Sequence, residues 1–168
     1  MSEMEKYSRR AARVLLFDAA DRLLLLKFRV DPDVPAGGHG WCAPGGGLED
    51  GESEAEAAAR ELREEIGLAV TPEAVGPKVA LTAGYADLGW AEGMFQDNFF
   101  HLRVTGHQVD VSGQGAEELR YHAGHRWWTL DELAASTERI HPLGLSGLAR
   151  DLVAGRIPAE PVRLPWHH

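Results

Sequence analysis

Eight acidic side chains and two arginines fall between Gly46 and Leu68, in the stretch GGLEDGESEAEAAARELREEIGL. That is a net charge of −6 in 23 residues, out of −9 for all 168. Glu61, Glu64 and Glu65 are the chemically telling ones. At about 100° per residue on a helix they share one arc of roughly 100°. Beside it lies an arc of Ala55, Ala58, Ala59, Leu62 and Ile66, suited to packing on a sheet. Most acidic runs are solvated helix surface, but this one runs against helix electrostatics. Glu61 and Glu65 are a like-charge i, i+4 pair, which costs a few tenths of a kcal/mol. Glu64 and Glu65 sit in the last turn, where the helix dipole favours cations, while Glu54 and Glu56 sit in the first turn, where it favours anions. Local departures of this kind are expected at functional sites. A divalent cation removes both penalties, and clustered carboxylate oxygens suit the hard ions Mg²⁺ or Mn²⁺.

These groups need elements to hold them. Ser53 with Glu56 three residues on forms a capping box, and Gly67 suits a left-handed stop, so a helix is predicted over Ser53 to Gly67. Ala11 to Arg29 reads as two strands around a polar Asp-Ala-Ala-Asp turn. Val30 to Gly40, with two prolines and three glycines, reads as a loop. WCAP reads as a short strand ended by Pro44. KVALTAGYA, NFFHLRV and HRWWTL read as further strands, with one ring of Trp127 and Trp128 placed in the core by alternation. A short helix follows from Asp131, a last helix lies in HPLGLSGLARDLVAG, and RIPAEPVRLPW is an extended tail. VSGQGAEELRYHAGH reads as a glycine-rich mobile loop. The order is not a regular βαβ alternation, so a mixed sheet flanked by helices is expected.

Composition narrows the classes. A chain of 168 residues, 44% hydrophobic and 26% charged, is long enough for one domain with a real core, here expected over residues 10–155 with a tail at 156–168. A pI near 5.3 argues against nonspecific binding to nucleic acid or anionic membranes. The single Cys42 cannot form an internal disulfide. MSEMEKYSRR has no apolar core of a signal peptide, and no apolar run approaches the roughly 18 residues that span a bilayer. The expectation is a cytoplasmic protein.

The 23 residues resemble the Nudix box: Gly46, Glu52, Arg60, Glu61, an aliphatic at Leu62, Glu64, Glu65, Gly67 and an aliphatic at Leu68, each at its required spacing. Seven are fixed residue types, each met by chance at roughly 5–10%, so coincidence falls well below one in a million per starting position. WCAPGGG before the box and HRWWTLDEL after it also look like the family. The resemblance implies an α/β/α sandwich and hydrolysis of a nucleoside diphosphate linked to another group, with Mg²⁺ as the cofactor and Mn²⁺ as an alternative. The substrate is then a small molecule, and hairpin-rich members of the family commonly form homodimers.

The resemblance also implies roles. Glu61, Glu64 and Glu65 would bind metal, and the Gly46 carbonyl is a further candidate ligand. Arg60 would hold the carboxylates, Glu52 would brace the preceding loop, and Gly67 would close the helix. The general base falls either on a box glutamate, Glu61 or Glu64, or on a later loop that offers Glu117 and Glu118, of which Glu118 is favoured because it is nearer the strand. Substrate contacts are expected from His39, from Tyr85, and at position 28, where an arginine is expected and the sequence has Phe28 followed by Arg29. Tyr85 lies where members acting on dinucleoside polyphosphates carry a tyrosine, while the proline of ADP-ribose members is missing from LTAGYAD.

Other motifs carry less. GGG lacks the spacing of a dinucleotide fingerprint. GLSGL is one residue short of a nucleophile elbow. The eight histidines show no zinc spacing. The competing readings are a non-catalytic Nudix-fold nucleotide-binding or regulatory module, which would have lost box glutamates, and the isopentenyl-diphosphate isomerase branch, whose cysteine motif Cys42 does not match.

Overall fold

The structure, a computed structural model, describes residues 7–89 and 91–166; the N-terminal six residues, Trp90, His167 and His168 lie outside this range. The apolar runs of the first hairpin form β1 (Arg9–Phe17) and β2 (Leu23–Arg29). Asp18 shapes their turn: its carboxylate accepts from the amides of Ala20 and Arg22 at 3.0 and 2.9 Å and from Arg22 Nε at 2.8 Å. β3 (His39–Cys42) and β4 (Gly45–Gly47) follow, then α1 (Glu54–Ile66). β5 (Lys78–Asp87) and β6 (Glu92–Arg103) make a long hairpin. After it come α2 (Ala116–Tyr121), β7 (His122–Trp128), α3 (Leu130–Ala135), β8 (Ile140–His141), α4 (Leu145–Val153) and β9 (Val162–Arg163).

One mixed sheet of nine strands runs in the order β8-β3-β2-β1-β6-β5-β9, with β4 also on β1 and β7 also on β2. β1 runs parallel to β6 along its full length, from Arg9 opposite Phe95 to Phe17 opposite Arg103. Its other edge is shared. Phe17 pairs with Leu23 of β2, whereas Ala11, Ala12 and Arg13 pair with Gly47, Gly46 and Gly45 of β4. The sheet therefore splits beside β4, and the split is where α1 meets it.

Strand alternation sends successive side chains to opposite faces. Leu15, Phe17, Leu23 and Leu25 join Trp128, Leu148 and Leu152 under α3 and α4. Val14, Leu16, Leu24 and Leu26 join Ala58, Leu62 and Ile66 under α1. The result is the α/β/α sandwich expected of the sequence. Trp128 is the ring buried in the core, set edge-on to Trp41 at 5.1 Å.

Two expectations are corrected. Residues of the presumed mobile loop form α2 and the start of β7. On α1 it is Ala57, not Ala55, that joins the buried face, because β4 extends the packing surface sideways beyond a single sheet-facing arc. The glycine run forms a strand, β4.

Candidate active site

α1 is built as its sequence requires. Ser53 and Glu56 form the reciprocal capping box, and Gly67 closes the helix at φ 72°, donating its amide to the Arg63 carbonyl at 3.1 Å. A Cβ on Gly67 would also stand 2.9 Å from Cβ of Asp110, so glycine is required there twice over.

The helix presents its carboxylates to β4. Gly46 packs so closely on Glu61 that a Cβ there would lie 2.5 Å from Oε1. Glu61 is only 8% exposed. Glu65 accepts the Gly45 amide at 3.1 Å. Glu64 is the outer member, its side chain 41% exposed.

Arg60 organises the group. Its Nε and Nη2 grip both oxygens of Glu52 at 2.8 Å each, and Nη2 also donates to the Gly47 carbonyl at 2.9 Å. Nη1 reaches Glu61 at 3.0 Å and Glu64 at 3.2 Å. Glu52 in turn accepts the Glu49 amide at 3.0 Å, which ties the loop before the helix to the same arginine. The Arg60 bonds hold the Glu52 carboxyl below its usual value.

The electrostatics of the carboxylates run the other way. Burial pushes the Glu65 carboxyl up to about 8, and the neighbouring Glu61 charge adds to it. Glu61 is also raised, by burial first, with Arg60 opposing and Glu64 and Glu118 adding. Burial and neighbouring glutamate charge therefore disfavour the ionised carboxylates, and Arg60 and Arg13 oppose this without cancelling it. The site's donors are all hard oxygens, and a Cβ at Gly46 would fill the cradle, so the residues fit a hard divalent cation. Among the described residues no three His, Cys, Asp or Glu side chains already stand close enough together to enclose an ion. Arg60 and the Gly45 amide occupy the carboxylates in this conformation.

The two later glutamates separate clearly. Glu117 pairs with Arg120 at 2.8 Å. Glu118, one residue on in α2, contributes like charge to both Glu61 and Glu65.

On the other side of the β1–β4 split lies a cavity of about 340 Å³. Arg9 and Arg13 of β1 and Asp97 of β6 supply its charges. Arg13 donates to the Ala43 carbonyl at 3.0 Å and stands 3.8 Å from Asp97. Burial works to lower its pKa, but Asp97, Glu65 and Glu61 outweigh that and raise it. Arg13 thus links the cavity to the carboxylates. Cys42 lines the same cavity, and burial pushes its thiol up to about 11, which makes it a poor nucleophile.

The expected substrate contacts fare differently. Position 28 is Phe28, which does line the cavity, while the arginine beside it, Arg29, donates to the carbonyls of Arg120 and His122. His39 is exposed at the start of β3 and is not among the lining residues. Tyr85 is 56% exposed, is not among them either, and bonds Glu92, which raises its hydroxyl pKa. Arg9, Arg13 and Asp97 were not foreseen. The alternation Arg9, Ala11, Arg13 on β1 was the one signal that could have placed two cations on a common face.

Comparisons with known proteins speak to the family and the fold. Residues 7–145 match the family model described as the NUDIX domain. A 62-residue stretch is 45% identical to an RNA pyrophosphohydrolase of Dinoroseobacter shibae; it makes up 37% of this chain and only 36% of that protein's length. Among solved structures, a MutT protein from Methanosarcina mazei Go1 aligns with a TM-score of 0.64 at 17% identity, over 92% of this chain and 99% of that one. The E. coli dihydroneopterin triphosphate pyrophosphohydrolase gives 0.62 at 19%, over 89% and 98%. An ADP-ribose pyrophosphatase from Streptococcus suis gives 0.58 at 19%, over 92% and 97%. At these identities the structural likeness speaks for the fold.

Proposed function

The chain belongs to the Nudix family, and from that premise we propose that it hydrolyses a diphosphate linkage in a nucleoside diphosphate derivative, with Mg²⁺ or Mn²⁺ held by Glu61, Glu64 and Glu65 and the Gly46 carbonyl as a candidate ligand. One observation carries this reading. Glu61 is buried hard against Gly46, the half-buried Glu65 accepts the Gly45 amide, and burial with neighbouring glutamate charge holds both carboxyls above their ordinary values. A folded chain that keeps such a group without a cation bears a standing cost.

A bound divalent cation would neutralise the carboxylates and the diphosphate together and polarise the phosphoryl oxygen. The chain's own residues do the rest. Arg60 fixes the carboxylates against Glu52 and the Gly47 carbonyl. Arg9 and Arg13 attract the anionic substrate from the cavity side. Glu118 accepts the proton of the water that attacks phosphorus, as the bond from that phosphorus to the bridging oxygen breaks. The products are a nucleoside monophosphate and a phosphorylated fragment.

The relatives' names frame the substrate panel: RNA, dihydroneopterin triphosphate and ADP-ribose. Dinucleoside polyphosphates, nucleoside triphosphates and AMP complete it. Product release from at least one diphosphate-containing substrate is expected with Mg²⁺, none with EDTA, and none from AMP, which has a single phosphate. Activity confined to monoesters or carboxylic esters, or nucleotide binding without turnover, refutes the proposal.

A further inference from the structure

The C-terminal tail lies beyond residues 7–145, the part that matches the NUDIX domain. It is nevertheless built onto the sheet. β9 pairs in parallel with β5, Ala80 opposite Val162 and Leu81 opposite Arg163. The Leu164 amide donates to the Leu81 carbonyl at 2.9 Å. Trp166 Nε1 donates to the Tyr85 carbonyl at 2.9 Å. Gly84 leaves the space the indole takes: a Cβ there would lie 2.2 Å from Cδ1 of Trp166.

Trp166 is thereby brought to the wall of the 340 Å³ cavity, which Phe28 of β2 and Tyr121 of α2 also line. With Phe95 and Phe99 of β6, five such aromatic side chains from four parts of the chain meet one space, where Arg9, Arg13 and Asp97 carry charge. The indole N–H is already taken by a backbone carbonyl, so the side chain has only its π surface to offer a ligand. The volume is at the small end for ligand pockets, which run from about 300 to 1,000 Å³, and suits one ring system rather than two. α2 joins the two halves of the site, since Glu118 acts on the carboxylates and Tyr121 lines the cavity.

We propose that Trp166, with Phe28 and Tyr121, forms a nucleobase-stacking pocket that the tail completes, so that the tail supplies affinity for the base of a nucleoside diphosphate derivative. This rests on the proposed diphosphate chemistry for its substrate class, but it is tested by binding rather than turnover. Aromatic stacking tolerates different bases because every base has a π face. Arg13 leads from the stacked ring toward the carboxylates that would meet the diphosphate.

The experiment measures dissociation constants by calorimetry for GMP, AMP and ribose 5-phosphate, without metal, on the full chain and three variants. The unaltered protein binds the two nucleotides more tightly than ribose 5-phosphate. Trp166→Ala weakens both nucleotides by roughly 5- to 150-fold, the range that loss of one stacking partner produces, and leaves ribose 5-phosphate within about twofold. Trp166→Phe recovers most of the loss. Gly84→Ala, which displaces the indole without removing it, reproduces the base-selective loss. Equal weakening of all three ligands, unchanged nucleotide affinity in Trp166→Ala, or no preference for nucleotides in the unaltered chain each overturns the proposal. A protein that shows the base-selective pattern yet hydrolyses no diphosphate keeps the pocket and loses the catalytic reading. A hydrolase without that pattern does the reverse.

Discussion

Replacing Arg60 by methionine removes the fork that holds the loop, β4 and the carboxylate helix together. Arg60 and Glu52 are 18% and 13% exposed, so the pair is mostly dry. Stranding one partner of such a pair costs about 3–5 kcal/mol. The methionine keeps most of the aliphatic stem in place, so little packing is lost. For a chain of this size each kcal/mol lowers Tm by about 2–4 °C, which gives a fall of roughly 6–20 °C. The pH dependence has a definite sign. Glu52 titrates below its ordinary value in the folded state, chiefly because of the Arg60 hydrogen bonds. Its contribution is complete above the ordinary carboxylate pKa and is lost as pH falls through the folded one. The gap between unaltered protein and variant should therefore be widest at neutral pH and narrow below about pH 4.5. Urea unfolding at 25 °C from pH 3.5 to 7.5 reads both the size and the slope. The double variant Arg60→Met, Glu52→Gln should recover part of the loss, because the Glu52 charge is no longer stranded. A neutral-pH loss under about 1 kcal/mol, a gap that stays constant into acid, or a double variant no better than the single one would refute the reasoning.

Without metal, Glu65→Gln should be more stable than the unaltered chain at pH 8.5, because a folded-state pKa of about 8 means that the ionised carboxyl opposes folding. That advantage grows as pH rises from the ordinary carboxylate range toward 8 and vanishes below it; thermal melts across pH 4–9 should show the order reversing when Mg²⁺ is added. Glu118→Gln should lower kcat by roughly 10²–10⁴ with metal affinity unchanged, whereas Glu117→Gln, bound to Arg120, should stay near the unaltered rate in the same steady-state assay. Near-normal kcat in Glu118→Gln would move the base to Glu61 or Glu64. Gly46→Ala should displace the Glu61 carboxylate and weaken Mn²⁺ binding by about 10- to 100-fold, as misplaced metal ligands do, with only a small change in urea midpoint.

Much of this was legible in the sequence because it is local. Helix α1 announces itself through Ser53, Glu56 and Gly67, and the box fixes which face of it carries Glu61 and Glu65. The bracing roles of Arg60 and Glu52 came from the resemblance to the family, and the two side chains bond each other while Arg60 also reaches Glu61. What was hidden is set by long-range pairing. Alternation puts Arg9 and Arg13 on one face, but only the parallel register with β6 brings Asp97 beside them. Nothing near Trp166 says that it docks on Gly84 across 82 residues of sequence. Tyr85 shows the converse. Its position matched a family pattern, yet strand alternation turns it outward while Ala86, next in β5, faces the cavity. α2 was missed because its six residues follow a run of glycines and carry no capping side chain.

The most direct test of the account is Mn²⁺ binding followed by electron paramagnetic resonance, with turnover of a diphosphate substrate measured on the same samples. Adding the unaltered chain should quench the free-ion signal in proportion to protein, and activity should rise with the bound fraction. Glu61→Gln and Glu65→Gln should leave most of the signal and lose most of the activity. If both variants bind Mn²⁺ as the unaltered chain does, or turn over substrate at its rate, the carboxylates of α1 are not the metal site and the central claim fails.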